Sequence, residues 1–341
     1  MTATGRCDPG YEAVREAFER NFAPIDADPG DVGAAMAPIH GGRVVVDLWG
    51  GSVSEGGATW GYDALVNMCS VGKPVAAVLA LAAVQRGELD LDEPLGTVWP
   101  AFRGLHGETT LRQVLAHQAG LAAVAESLDP ESIVDWSAMA DALARTPPWW
   151  TPGSAHGLPQ SHHRRVAQIV SPVDQGSGPT RHRPAETEQD RMRAHTCFNP
   201  PNLSGFGVVN TADWRGASIP STNGHATARA MAQFHAALLP SAPAPLLAES
   251  LRIEATTEHS AGSDLVLQRE TRFGLGFQLH QETRAMGTGP DAFGHFGHGG
   301  SLAFADPDRD VAFCYLINRP GGRWQSPRTL RLVASTAEAT S

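Results

Sequence analysis

Segments with strand character occur only near the two ends of this 341-residue chain, so any fold it adopts must bring those ends together. Near the start, residues 9–23 read as a helix. The stretch AAMAPIHGGRVVVDLWGG that follows has two short apolar runs around His40-Gly41-Gly42, the pattern of a β-hairpin. Near the other end, RFGLGFQL (272–279) and SLAFADPDRDVAFCYLINRP (301–320) read as strands, the latter broken by an Asp-Pro-Asp turn, and a final helix is expected from about Ser326. Between them, from about Tyr62 to Gly262, the apolar spacing is largely helical, most clearly in SVGKPVAAVLALAAVQRGELDLDEPL. The expected class is α+β in a single domain over 1–341. An antiparallel sheet from the chain ends (about 9–61 and 263–341) is flanked by helices, with a mostly helical region (about 62–262) inserted. Residues 158–195 depart from this plan: rich in His, Arg, Pro, Gln and Gly and without periodicity, they read as loop or disorder.

A formal charge of −10 disfavours nucleic acid and anionic membranes as partners, since both require a basic face. No apolar run approaches the roughly 18 to 20 residues of a membrane span, and the first twenty residues lack the apolar core of a signal peptide, so a cytoplasmic location is expected. The four cysteines, Cys7, Cys69, Cys197 and Cys314, lie far apart with no C-x-x-C pair and read as free thiols. Cys69 is either a buried small hydrophobe or a reactive thiol beside Ser70. The 14 histidines show no metal-ligand spacing, so neither a metal nor a cofactor is expected.

The chemistry concentrates at Ser70-Val71-Gly72-Lys73. Lys73 is the only lysine; the other basic residues are all arginine. A guanidinium stays protonated at any useful pH, whereas a desolvated ammonium can lose its proton near neutrality and act as a base. Pro74 and the apolar run VAAVLALAAV place Lys73 in the first turn of a helix, where the dipole also disfavours its cation. Residues three apart share a helical face, so the Ser70 hydroxyl and the Lys73 amine come within hydrogen-bond reach, as a nucleophile and its proton acceptor.

S-x-x-K is the pattern of serine β-lactamases and penicillin-binding proteins, and three further stretches resemble that superfamily, in particular class C β-lactamases and family VIII carboxylesterases. TLRQVLAHQAGL (110–121) resembles a segment that packs behind the nucleophile helix, and WWTPGS (149–154) resembles the Pro-Gly turn before the second catalytic motif. HFGHGGSLAFADPDRDVAFCYLINR (295–319) resembles the third-motif strand, with His295-Phe296-Gly297 as a His-x-Gly. The resemblance implies catalytic roles for Ser70, Lys73, His295 and Gly297 and an oxyanion hole from the backbone amides of Ser70 and His298, although His295 and His298 are interchangeable on sequence alone. IPSTNGHATARAMAQFHAALL (219–239) is similar to a segment near the cleft, making Asn223 and His225 pocket candidates beside a simple helix-cap reading.

The superfamily's second motif carries a tyrosine soon after the Pro-Gly turn, and this chain has only Tyr11, Tyr62 and Tyr315. In its place stands His156-Gly157-Leu158-Pro159-Gln160-Ser161-His162-His163. Either a shifted reading frame has replaced a Tyr-His-containing segment, or the site has diverged and His156, His162 or His163 serves as acid and base. The expected function is a serine hydrolase working through an acyl-enzyme on a small carboxylic ester or related acyl compound, because the missing third-motif lysine removes the cation that would attract a β-lactam or peptide carboxylate. Acyl transfer through the same intermediate, and a catalytically impaired relative that only binds ligand, are the alternatives.

Overall fold

The computed structural model describes residues 1–25, 28–159, 187–200, 208–287, 289–321 and 325–341. Helix α1 (Glu12–Arg20) lies between β1 (Thr4–Cys7) and the hairpin formed by β2 (Gly33–His40) and β3 (Arg43–Val44), which runs on into β4 (Val46–Gly51). The hairpin turns on Gly41 and Gly42, both at positive φ (56° and 71°), the backbone a two-residue turn of this hand requires and glycine adopts without a Cβ clash. After β4 come the short β5 (Val66–Asn67), then α2 (Lys73–Gln85), α3 (Leu111–Leu115), α4 (Trp136–Arg145), α5 (Glu188–Phe198) and α6 (Ala212–Gly216). These are followed by β6 (His225–Ala226), α7 (Ala228–Ala236) and α8 (Glu249–Thr256). The chain returns to the sheet through β7 (Ser260–Asp264), β8 (Arg269–Phe273), β9 (Gln278–Leu279), β10 (Phe293–Phe296), β11 (Leu302–Asp306) and β12 (Val311–Ile317), and closes with α9 (Pro327–Ala339).

The main sheet is antiparallel throughout, in the order β1-β4-β2-β12-β11-β10-β9-β8-β7, with β3 on β2. Its seam is the β2–β12 pair, which runs from Ala34 opposite Ile317 to His40 opposite Val311. Along β12, Ala312, Cys314 and Leu316 face a core shared with α2 and α7, while Val311, Phe313, Tyr315 and Ile317 face a second core beneath α1 and α9. Both faces are covered, which is why VAFCYLI is apolar without a break instead of alternating with polar residues.

Two expectations are corrected. Residues 158–195 are not all loop, because α5 begins at Glu188. The Thr187 hydroxyl caps it by accepting from the Asp190 N–H, Glu188 and Asp190 sit in its first turn, and among its described side chains only Met192 and Thr196, one turn apart, are buried, too few to show as a period. The run 272–279 is not one strand either: it breaks at Gly274–Gly276, where Gly276 takes φ 81° and a Cβ would lie 2.1 Å from the Ala77 Cβ of α2. That contact seats the sheet against α2.

Candidate active site

The strand pair β5–β6 fixes the approach to α2, with Asn67 opposite His225 and the Met68 N–H donating to the Gly224 carbonyl at 2.9 Å. The Asn67 Oδ1 then accepts the Cys69 N–H at 2.9 Å, and Cys69 adopts a left-handed φ of 50°, rare for a residue with a Cβ. This bend turns the chain into a 3-10 segment, Cys69–Gly72, that leads into α2 and leaves Ser70 only 3% exposed.

Lys73, the first residue of α2, places its Nζ 3.0 Å from the Ser70 Oγ and 3.0 Å from the Ser221 carbonyl oxygen. Among the described residues no carboxylate pairs with it, and burial lowers its pKa to about 7. The Cys69 thiol is held close by, donating to the Asn67 Oδ1, and burial pushes it up to about 12 despite the opposing influence of Lys73 and the His298 backbone amide. A thiol in that range stays protonated and is a poor nucleophile, so the buried-hydrophobe reading of Cys69 stands.

Facing this turn is β10. His295 is fully buried, its Nδ1 lies 2.6 Å from the Phe296 carbonyl oxygen, and burial, then the Lys73 charge, hold its pKa well below the imidazole range. It is therefore a neutral ring. Gly297, just after the strand, packs against the turn that holds Ser70: a Cβ there would meet Val71 Cγ2 at 2.9 Å and the Met68 carbonyl oxygen at 3.1 Å. Only a bare backbone lets the strand come this near. The next residue, His298, opens a short turn, and its amide acts on the Cys69 thiol, which puts that N–H beside the residue preceding Ser70.

The remaining candidates do other work. The Asn223 amide spans a loop, donating to the Trp214 and Ala217 carbonyls and accepting the Ile219 N–H, and so positions the loop that carries Ser221; it is not a helix cap. His225 pairs with Asn67 behind the nucleophile turn, with its pKa lowered by burial. His156 lies beside His117: its Nε2 is 2.8 Å from the Thr271 Oγ1, its ring meets Phe273, and its charge acts on His117. His162 and His163, with most of the segment assigned to a shifted frame, lie outside the described residues. No tyrosine reaches Lys73. Tyr11 bonds His40, Tyr315 bonds Asp31, and Tyr62 stacks under Arg229.

Two participants have little or no sequence signal. The Ser221 carbonyl is backbone, and any residue supplies one. His117, in the stretch read as packing, takes a left-handed φ of 59°, lies edge-on to Phe273 at 4.7 Å, and is pushed down to about 3 by burial and by the Lys73 charge. His117 and Ser221 also line a cavity of about 370 Å³ walled by Leu95, Trp99, Phe102, Val114, Met139 and Leu143. Among the described residues, no cluster of three or more His, Cys, Asp or Glu is placed to hold a metal ion, and no helix is long and apolar enough to cross a membrane.

Comparison with known proteins places this geometry. The β-lactamase family model matches residues 18–338. An esterase/beta-lactamase, LipL, from Mycobacterium tuberculosis is 28% identical over 92% of this chain and 82% of its own. Among solved structures, a penicillin-binding protein homolog from Caulobacter crescentus superposes with a TM-score of 0.83 at 31% identity, covering 99% of this chain and 100% of that one. A family VIII carboxylesterase does so with a TM-score of 0.83 at 26% identity, over 99% and 100%.

Proposed function

This chain belongs to the β-lactamase family, and from that premise we propose that it is a serine hydrolase that cleaves carboxylic esters through an acyl-enzyme on Ser70. The observation that carries the proposal is the 3.0 Å contact between the Ser70 Oγ and the amine of Lys73, whose pKa of about 7 leaves it free to accept a proton at neutral pH. Oγ attacks the ester carbonyl carbon as its proton passes to Nζ. The carbonyl oxygen becomes an oxyanion facing the amides of Ser70 and His298, donors that bind developing charge more strongly than the ground-state carbonyl. Collapse breaks the bond to the alcohol, which leaves with the proton from Nζ. Water then attacks the acyl carbon and gives a proton to Nζ; collapse breaks the bond to the Ser70 Oγ, which takes that proton back from Nζ as the carboxylic acid departs.

Esters are favoured over β-lactams because the third-motif position holds His295, a buried neutral ring, where a cation would attract a carboxylate. The names of the M. tuberculosis relative and of the family VIII structure are consistent with this reading. With no phenol beside Lys73 among the described residues, the lysine carries every proton transfer alone. That same observation favours a second reading, a ligand-binding relative with impaired chemistry. Burst kinetics with p-nitrophenyl acetate and butyrate distinguish them: hydrolysis lost in both Ser70→Ala and Lys73→Ala is expected, and equal background rates in all three proteins refute the esterase.

A further inference from the structure

We propose that the pocket between Arg269 and Arg284, where β8 meets β9, binds one small monatomic anion such as chloride, which cross-links a thinly paired seam of the main sheet. The inference is independent of the chemistry at Ser70.

The seam needs a cross-link. Strand β9 is two residues long and joins β8 through a single registered pair, Phe273 opposite Gln278, whereas β7 and β8 share five. Arg269 and Arg272 belong to β8, and Arg284 closes the tight turn after β9, its N–H donating to the Gln281 carbonyl at 2.9 Å. All three arginines line one pocket, together with Gln278 and Phe296. Cations are thus presented from both sides of a join that backbone hydrogen bonds hold poorly.

Their charge is only partly matched. Arg272 is paired, its Nε donating to the Glu258 carboxylate at 2.6 Å and its Nη1 to the His280 carbonyl at 3.1 Å. Arg284 forms no ion pair among the described residues, and its Nη1 is buried without a hydrogen-bond partner there. No described residue lining the pocket is acidic. Arg269 and Arg284 are close enough to repel, and burial, followed by that repulsion, lowers the Arg269 pKa to about 10. An anion between two partly buried guanidinium groups offsets both their desolvation and their repulsion. Gln278 spends its Oε1 on the Phe296 N–H at 2.9 Å, which leaves its NH₂, a donor, for the pocket.

Size narrows the ligand. The cavity is about 20 Å³, and one water needs ~10–15 Å³. A single particle little larger than water fits, whereas a carboxylate or phosphate, with several heavy atoms, does not. Water would satisfy the Nη1 donor and leave the two cations facing each other; a halide answers both.

The test melts the full-length protein at fixed ionic strength while sodium chloride replaces sodium gluconate, whose anion is too large for the pocket. A saturable rise of about 2 °C in Tm is expected for the wild type, and none for Arg284→Gln. In gluconate alone the variant is expected to melt at or above the wild type, because the substitution removes the repulsion. Chloride NMR line broadening is measured in parallel, and broadening that is displaced by bromide and lost in Arg284→Gln is expected. A response that never saturates, a response unchanged in Arg284→Gln, or stabilisation by phosphate with none by chloride overturns the proposal. So does an Arg284→Gln protein destabilised equally in both salts, since that is the behaviour of an arginine with a purely structural role.

Discussion

At the scale of single residues, the proposed catalysis depends on one amine whose protonation burial has made marginal. Lys73 loses its proton near 7 in place of the ordinary 10.5 because its cation is desolvated and has no carboxylate partner among the described residues. A base must be unprotonated to accept from Ser70. So kcat/KM for a small ester is expected to rise about tenfold per pH unit below 7 and to level off above about 8. A profile flat from pH 5 to 8 would remove Lys73 from the base role. Ser70 and Lys73 were legible in the sequence because their separation of three carries its own geometry and because no other lysine competes for attention. Ser221 was not, since it contributes a main-chain oxygen, and the Thr271 hydroxyl that bonds His156 is too distant in sequence to be read as its partner.

Among elements, the close contact of β10 with the nucleophile turn is what brings the two halves of the site together, and Gly297 sets that contact. Gly297→Ala forces the strand away from Val71 and the Met68 carbonyl. Because a displacement of about 1 Å can cost ~100-fold in rate, kcat is expected to fall by roughly that factor while the protein stays folded by circular dichroism. Gly297→Ala with wild-type kcat would show that the strand does not position the oxyanion donors. The strands near the chain ends and the helix after Ser70 could be read from apolar runs and a proline. In contrast, α5 and β7 could not. The first, among its described side chains, buries two at one turn's spacing, and the second, Ser-Ala-Gly-Ser-Asp, has no strand-forming residue and owes its structure to pairing with β8.

For the whole molecule, a buried polar network ties the last helix to the opening segments. Arg328, 1% exposed, pairs with the buried Asp31 and with Asp28; Asp31 also accepts from the Tyr315 hydroxyl, and the Asn21 amide donates to both that hydroxyl oxygen and the Arg328 carbonyl. Removing one member strands a charge without solvent. Arg328→Ala is therefore expected to lower unfolding stability by about 3–5 kcal/mol, measurable by urea denaturation, and a loss below about 1 kcal/mol would mean the network is solvated. No sequence pattern announces such a network, since its members lie at opposite ends of the chain and belong to no motif.

The β2–β12 seam also has a consequence for synthesis on the ribosome. The partner of β2 is made roughly 270 residues after it, so at about 5–20 residues per second the first hairpin waits from roughly a quarter of a minute to a minute with one edge unpaired. An apolar edge left open that long invites other nascent chains to pair with it. For most of that interval Ser70 and Lys73 already exist, while β10 is not yet made. The candidate site thus assembles in a single late step, and a truncated translation product carries Ser70 and Lys73 without the strand that packs on their turn.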